Sequence, residues 1–104
     1  MDKNQLYQQN CNNLAQTLIA KNTDYGSSFD KTFELFGIVA PLIRISDKYN
    51  RLVSLAQKAD NQRMVENETF EDTLLDLAGY CILTLTAIQN HKKDPNNIQL
   101  YSNS

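Results

Sequence analysis

Apolar residues recur every three or four positions along most of the chain, a spacing that predicts amphipathic helices. The first helix is predicted over residues 2–23. The stripe that we expect to face its core consists of Tyr7, Cys11, Leu14 and Leu18. Asn, Asp, Gly and Ser cluster in the segment 21–28, so a loop that ends this helix is predicted there.

A short helix and a long helix are predicted next. Ser28 can cap a helix over residues 29–36, and Gly37 interrupts it. Pro41 suits the first turn of the long helix, which is expected to run to about residue 59. The expected core stripe of this long helix consists of Ile38, Leu42, Ile45, Tyr49, Leu52 and Ala56.

The last predicted helix begins near Thr69, which can cap it, and ends near Asn90. Its expected core stripe consists of Phe70, Leu74, Leu77, Cys81, Leu85 and Ile88. Ile82 and Leu83 make its second half apolar on nearly all sides, which is typical of a helix with several neighbours. The chain is therefore predicted to be all-α, a small bundle of three long helices and one short helix, completed by oligomerisation. The helical domain is expected over residues 1–90, followed by a polar C-terminal tail over 91–104.

Composition narrows the functional classes. A net charge of −2 with mixed signs gives no strong attraction to nucleic acid or to a membrane surface. The N-terminus lacks the apolar run of a signal peptide, and Thr84 and Thr86 interrupt the longest apolar stretch. Cys11 and Cys81 fall among the expected core positions, so both are predicted to be reduced, buried thiols. A cytoplasmic protein is expected.

One carboxylate does not fit a simple bundle. Glu68, Asp72 and Asp76 recur at spacings of four, and Asp76 lies two turns inside the last helix between leucines. A lone buried carboxylate would cost several kcal/mol, so Asp76 needs a partner. Three kinds of partner remain open: a basic residue on the long middle helix, a divalent metal shared with Asp72, and a donor group of a ligand.

Two other groups of polar residues are candidates for a binding site. Arg44, Asp47, Lys48 and Arg51 share one broad face of the middle helix, which is either a solvated face or a phosphate-binding face. In the segment 21–28, Lys21 could contact phosphate, Asp24 could bind a metal or a hydroxyl, and Tyr25 could stack on a base. A helix-terminating turn explains the same residues.

Several motifs in one order resemble a known family. They are Lys21-x-x-Asp24-Tyr25-Gly26, Phe29 and Phe33, Phe36-Gly37, Pro41, Arg44-x-Ser46-Asp47-Lys48-x-x-Arg51-Leu52, and Glu71-Asp72-Thr73-Leu74-x-Asp76-Leu77-Ala78-x-Tyr80. From about Ala20 to Ile88 the chain resembles the nucleotide modification associated domain family, first type, which phages and Gram-positive bacteria often carry. It is also similar to the all-helical nucleoside triphosphate pyrophosphatases, the MazG-like and dimeric dUTPase group.

The resemblance implies a dimeric or tetrameric helical bundle in which acidic residues bind Mg²⁺ and the metal grips a triphosphate. On that basis Asp72 and Asp76 are expected to hold Mg²⁺, and Asp47, Asp72 and Asp76 to form the catalytic set. The expected ligand-binding residues are Lys21, Asp24, Tyr25, Arg44, Lys48, Arg51 and Tyr80. One departure matters: the pyrophosphatases carry Glu-x-x-Glu on one helix and Glu-x-x-Asp on the next, whereas this chain has Arg44-x-x-Asp47-Lys48 in its middle helix.

Two functions therefore follow as expectations. The first is a Mg²⁺-dependent (deoxy)nucleoside triphosphate pyrophosphohydrolase. The alternative is a non-catalytic nucleotide-binding protein that sequesters a modified or signalling nucleotide, or assists nucleotide modification. In either case the partners expected are a nucleotide and further copies of the chain, in the host cytoplasm if a phage encodes it. A purely structural bundle, with the acidic and basic rows paired, is the third interpretation.

Overall fold

The computed structural model describes the backbone of residues 1–25, 28–58 and 67–93, and the side chains of 1–21, 28–58 and 70–92. Four helices account for nearly all of this part. They are α1 (Lys3–Tyr25), α2 (Ser28–Phe36), α3 (Val39–Ala56) and α4 (Asn67–Lys93). The predicted all-α class, with three long helices and one short helix, is confirmed for the residues described. Among them, no helix combines the length and the hydropathy needed to cross a bilayer.

The ends of the helices differ from the prediction in several places. The loop expected from residue 21 is wrong as far as Tyr25, because α1 continues through it. Asn, Thr and Asp cost well under about 1 kcal/mol each inside a helix, so a cluster of them need not end one. Residues 26 and 27 lie outside the described part. Helix α3 ends at Ala56 rather than near residue 59. Helix α4 begins at Asn67, so Thr69 lies inside its first turn and the prediction that Thr69 caps it is wrong. The last helix extends to Lys93, past its expected end, and residues 94–104 are not described.

Local hydrogen bonds explain where two of the helices start and stop. The Gln5 N–H donates to Asp2 Oδ1 at 2.8 Å, and the Asp2 N–H donates to Gln5 Oε1 at 2.9 Å, so the pair caps the start of α1. At the other junction Gly37 adopts φ 71°, and its N–H donates to the Phe33 carbonyl at 2.7 Å. Glycine takes this left-handed conformation without the steric cost that a Cβ brings, so the chain turns sharply from α2 into α3.

The core lies mainly between α3 and α4, which make the most extensive interhelical contact in the described part. These helices run antiparallel, because Phe33, just ahead of α3, contacts His91 near the end of α4, whereas Lys48 near the middle of α3 pairs with Asp76 in the first half of α4. Phe33 of α2 and Leu55 of α3 are both buried in this core, with exposed fractions of 4% and 2%. Pro41 is fully buried in the first turn of α3, where its missing N–H costs no helical hydrogen bond.

The buried line of α3 and that of α4 are each rotated from the predicted stripe. Leu42 and Tyr49 of α3 and Leu74 and Leu85 of α4 were predicted to be buried, and all four are exposed. Half of each predicted stripe is half-buried as expected: Ile38, Ile45 and Leu52 of the α3 stripe, and Phe70, Leu77 and Ile88 of the α4 stripe. The inward positions that were not predicted are Pro41, Lys48 and Leu55 on α3, and Thr73, Tyr80, Thr84 and Ala87 on α4.

Polar residues in inward positions explain the rotation. Thr84 can be buried because its hydroxyl donates to the Tyr80 carbonyl one turn earlier at 2.6 Å. Lys48 is half-buried and can bury its alkyl stem while its ammonium reaches Asp76. A stripe chosen by apolar residues alone therefore overlaps the inward face of each helix on one side and extends onto its exposed flank on the other. Cys11 and Cys81 are free and exposed, so the prediction of buried thiols is wrong.

Helix α1 packs on α4 through its second half. A Cβ built on Gly79 of α4 would lie 3.6 Å from Leu18 Cδ2 and 3.8 Å from Leu14 Cδ1, so α1 crosses α4 closely at this glycine. The other two residues of the predicted α1 stripe, Tyr7 and Cys11, are exposed. The first half of α1 therefore adds little to the core of the chain.

Because few apolar side chains are fully buried, we expect the stability of the chain to depend strongly on each of them. Leu55→Ala should lower the free energy of unfolding by about 2–5 kcal/mol through lost burial and the cavity that remains. Leu35→Ala removes the same atoms from a side chain that is 75% exposed, and should cost no more than about 0.5 kcal/mol. Urea denaturation of both variants measures the difference, and equal losses would contradict this description of the core.

Candidate functional site

Two adjoining cavities form a groove that α1, α2, α3 and α4 enclose together. Both cavities are lined by Leu18, Lys21, Tyr80 and Leu83, so they share one wall. Their volumes are about 390 and 560 Å³. Cavities of about 300–1,000 Å³ are typical of small-molecule sites in proteins.

The smaller cavity, which we call the basic cavity, combines positive charge with aromatic walls. Lys21 comes from α1 and Arg44 from α3, and neither forms an ion pair within the described part of the chain. Phe29, Phe33 and Tyr80 supply the aromatic surface. The described side chains that line this cavity are basic, aromatic, aliphatic or hydroxylated, and none of these is acidic. Two uncompensated cations beside apolar walls favour an anion with an attached ring.

The larger cavity, which we call the acidic cavity, has a different chemistry. Asp72 and Asp76 lie one helical turn apart on α4 and both line it. Asn13 and Thr17, also one turn apart, face them from α1. This side of the groove offers oxygen ligands and hydrogen-bond acceptors. Lys21, which also lines the basic cavity, supplies a basic side chain here.

The partner of Asp76 in the structure is the first of the three kinds that the sequence left open, a basic residue of α3. Its Oδ2 lies 3.2 Å from Lys48 Nζ of α3, and the two side chains are 41% and 31% exposed respectively. The observed pair is therefore an interhelical salt bridge at the edge of the groove rather than in the core. Since Asp76 also lines the acidic cavity, the salt bridge does not remove it from the site.

The carboxylates of the groove fit one limited mode of metal binding. Within the described residues, no three His, Cys, Asp or Glu side chains come together in an arrangement that could hold a metal ion. Mg²⁺ is commonly bound through one or two carboxylates, with waters and substrate phosphates completing its shell. Asp72 and Asp76 supply that minimum, and the side chain of Asp24 lies outside the described part.

Half of the ten predicted site residues line this groove. Lys21, Arg44 and Tyr80 line the basic cavity, and Lys21, Asp72, Asp76 and Tyr80 line the acidic cavity. Lys48 lines neither cavity but forms an ion pair with Asp76. Asp47 and Arg51 are exposed on α3 and line neither cavity. Tyr25 is helical, but its side chain, like that of Asp24, is not described.

The polar contribution of α1 was not predicted from the sequence. Asn13 and Thr17 are spaced four apart beside the apolar pair Leu14 and Leu18, and that spacing places them on one edge of the packed face.

The spacing of the three phenylalanines of α2 places them on one side of this helix. Phe29 and Phe33 line the basic cavity, whereas Phe36 is 68% exposed.

The motifs that carry these residues match a known family. The family model described as nucleotide modification associated domain 1 matches residues 21–88, which is about two thirds of the chain. The chain belongs to this family. The description of this family associates its members with nucleotide modification and specifies no reaction. The chain matches no curated protein and no solved structure.

The matched region of this nucleotide modification associated domain contains most of the groove. It starts at Lys21 and ends at Ile88, so it covers all of α2 and α3 and most of α4. Only the α1 contribution ahead of Lys21, which includes Asn13, Thr17 and Leu18, lies outside it. The predicted extent of the resemblance, from about Ala20 to Ile88, is confirmed.

The Lys48–Asp76 salt bridge is expected to contribute little to stability because both side chains are partly exposed. A double-mutant cycle with Lys48→Gln and Asp76→Asn should give a coupling energy of about 0.2–1 kcal/mol, decreasing at high salt. Lys48→Gln combined with Asp72→Asn is the matched control, with a coupling near zero. A coupling energy of ~3–5 kcal/mol, the size of the loss when a buried pair loses one partner, would contradict the description of this pair as partly exposed.

Proposed function

We propose that this chain binds a nucleotide in the groove between its helices, with the phosphate groups at Lys21 and Arg44. The observation that carries the proposal is the basic cavity, which two cations from different helices line with no acidic side chain among the described lining residues. Arg44 can hold two phosphate oxygens at once through its planar guanidinium, and Lys21 adds a second charge. Membership of the nucleotide modification associated family supports the same ligand class.

The aromatic wall suits the base of such a ligand. Phe29 is half-buried and Tyr80 is half-buried, so each keeps part of its ring available inside the basic cavity. Stacking of a base on an aromatic side chain is worth about 1–3 kcal/mol and tolerates different bases. A ring held on this wall would leave its phosphates within reach of the two cations that line the same cavity.

A Mg²⁺-dependent pyrophosphohydrolase is the second candidate, favoured by the position of Asp72 and Asp76 next to the phosphate end of the groove. Those two carboxylates would hold the metal, which supplies charge neutralisation and an activated water. Lys21 lines both cavities, so it would bind a phosphate that approaches the carboxylates. The resemblance to the MazG-like pyrophosphatases belongs to this candidate. Asp47 would need to reach the site from its exposed position on α3.

Binding is favoured over hydrolysis by the charges in the described groove. The pyrophosphatase pattern implies acidic pairs on two helices, whereas here α3 brings Arg44 to the groove and Lys48 to Asp76. A phosphate can be bound directly by such cations without a metal. We therefore expect tight binding that survives chelation and leaves the ligand intact.

Binding should be measured by isothermal titration calorimetry of nucleoside mono-, di- and triphosphates in the presence of a chelator. Arg44→Gln and Lys21→Gln should each weaken binding about tenfold or more, because each removes a charge-assisted hydrogen bond of about 1.5–3 kcal/mol. Lys31→Gln, which removes an exposed charge of α2 outside the groove, is the matched control and should bind like the unmodified chain. If all three substitutions weakened binding equally, the loss would reflect the net charge of the protein, and the proposed binding site would be contradicted.

Hydrolysis should be tested by phosphorus NMR of the same nucleotides with and without Mg²⁺. Unchanged resonances with line broadening on protein addition are the expected result for a binding protein. New pyrophosphate signal that requires Mg²⁺ and is lost in Asp72→Asn would instead establish the hydrolase. Asp72 is the better choice for this variant because Asp76 also holds Lys48, so replacing Asp76 would disturb the contact between α3 and α4.

A further inference from the structure

A nucleotide bound as described above would occupy only the smaller half of the groove. Its base would lie on the aromatic wall and its phosphates at Lys21 and Arg44, all within the basic cavity of about 390 Å³. The acidic cavity adjoins it and is larger, at about 560 Å³. Because Lys21 and Tyr80 line both cavities, a molecule held at Lys21 can extend from the basic cavity into the acidic one.

The polar groups of the acidic cavity are mainly hydrogen-bond acceptors. The ionised carboxylates of Asp72 and Asp76 accept hydrogen bonds and donate none. The Thr17 hydroxyl donates its hydrogen to the Asn13 carbonyl at 2.9 Å, so its oxygen has only lone pairs left to offer to a ligand. This side of the groove therefore suits a group of the ligand that donates several hydrogen bonds.

A further phosphate is the wrong group for this cavity when no metal is bound. The charge of the groove changes sign along its length, from Lys21 and Arg44 in the basic cavity to Asp72 and Asp76 in the acidic cavity. Phosphate oxygens are negative and accept hydrogen bonds, so the two carboxylates would repel them and offer no donors in exchange. The phosphates of the ligand are therefore expected to end at Lys21.

An uncharged donor fits better than an ammonium group. Asp76 is already paired with Lys48, whose Nζ lies 3.2 Å from its Oδ2, and Lys21 lines the same cavity as Asp72. The two carboxylates thus have two ammonium groups nearby, and a third cation would compete with Lys48 for Asp76. Hydroxyl groups donate hydrogen bonds to carboxylates without adding charge.

We propose that the ligand is a nucleotide whose terminal phosphate is esterified with a sugar, so that the sugar hydroxyls occupy the acidic cavity. This inference rests on the proposed nucleotide binding and names the class of nucleotide. A second nucleoside beyond the phosphates would also bring hydroxyls, but its base needs a surface to stack on. Among the described residues that line the acidic cavity, Tyr80 is the one aromatic side chain, and the basic cavity shares it.

Asp72 is the residue that we expect to select the sugar. Its side chain is exposed and forms no ion pair within the described part of the chain, so both of its oxygens are available to hydroxyls. Carboxylates bind such donors through charge-assisted hydrogen bonds, which are stronger than neutral ones. The same charge disfavours a triphosphate in this position, and repulsion of the wrong ligand contributes to specificity.

The test is calorimetric titration of the full chain with nucleoside diphosphate, triphosphate and diphosphate glucose, in a uridine and an adenosine series with a chelator present. In at least one series the diphosphate glucose should bind about tenfold or more tightly than the diphosphate and the triphosphate, as expected for one or two added charge-assisted hydrogen bonds. Asp72→Ala should remove this advantage and leave diphosphate binding as tight as before or tighter. Glu71→Ala, an exposed acid of the same helix that lines neither cavity, is the matched control and should retain the advantage.

The possible outcomes separate this inference from the nucleotide proposal itself. If the diphosphate binds and depends on Arg44, but glucose adds nothing or its advantage survives Asp72→Ala, the sugar is overturned and nucleotide binding stands. A triphosphate that binds most tightly once Mg²⁺ is added would overturn the sugar in favour of a metal site. If no nucleotide of either series binds, both proposals are overturned. Should Asp72→Ala fail to fold, Thr17→Val decides, since loss of this exposed hydroxyl should weaken only the diphosphate glucose.

Discussion

The antiparallel contact between α3 and α4 determines the position of everything else in this chain. It is made along a mixed line, in which Leu52, Leu55 and Leu77 share inward positions with Lys48, Thr73 and Thr84. Each polar member is tolerated because of a local arrangement, as the Thr84 hydroxyl bonded to the Tyr80 carbonyl illustrates. The register that results brings Lys48 to Asp76 and turns Arg44 toward Tyr80, which creates the groove.

The groove depends on secondary contacts that are weaker than this central one. Helix α2 is fixed by Phe33, whose ring meets that of His91 edge to face at a centroid distance of 6.2 Å, and by the tight turn at Gly37. Helix α1 rests on α4 at Gly79. Both helices therefore contribute walls to the groove while burying little surface of their own. Movement of either would change the shape of the cavities without disturbing the α3–α4 contact.

Much of the fold could be predicted from the sequence, because long helices with regular apolar spacing have few alternatives. The Gly37 interruption, the Pro41 position and the short α2 helix all follow from local backbone preferences, and the structure confirms them. The inward faces could not be predicted from apolar residues alone. A helix that is apolar on three sides, as α4 is, does not reveal from its sequence which side faces the rest of its chain.

The residues of the candidate site could also be predicted only in part from the sequence. Charged residues that interrupt an apolar pattern need a partner, so Asp76 could be identified from its position. A basic residue of the middle helix was one of the three kinds of partner expected, and the structure shows it to be Lys48. Asn13 and Thr17 line the acidic cavity but were not predicted, because polar residues on a mainly polar helix do not interrupt an apolar pattern. Arg51 and Arg44 are seven residues apart on similar faces of α3, but the groove ends before it reaches Arg51.

Gly79 has a consequence for the distance between α1 and α4. It lines the acidic cavity at the point where Leu14 and Leu18 approach α4, so the missing side chain sets the spacing between these helices. A methyl group at this position would meet its neighbours at ordinary van der Waals distances, whereas a branched side chain would act as a spacer between α1 and α4. The size of the side chain at this one uncharged position would therefore affect how closely α1 and α4 approach each other along the acidic cavity.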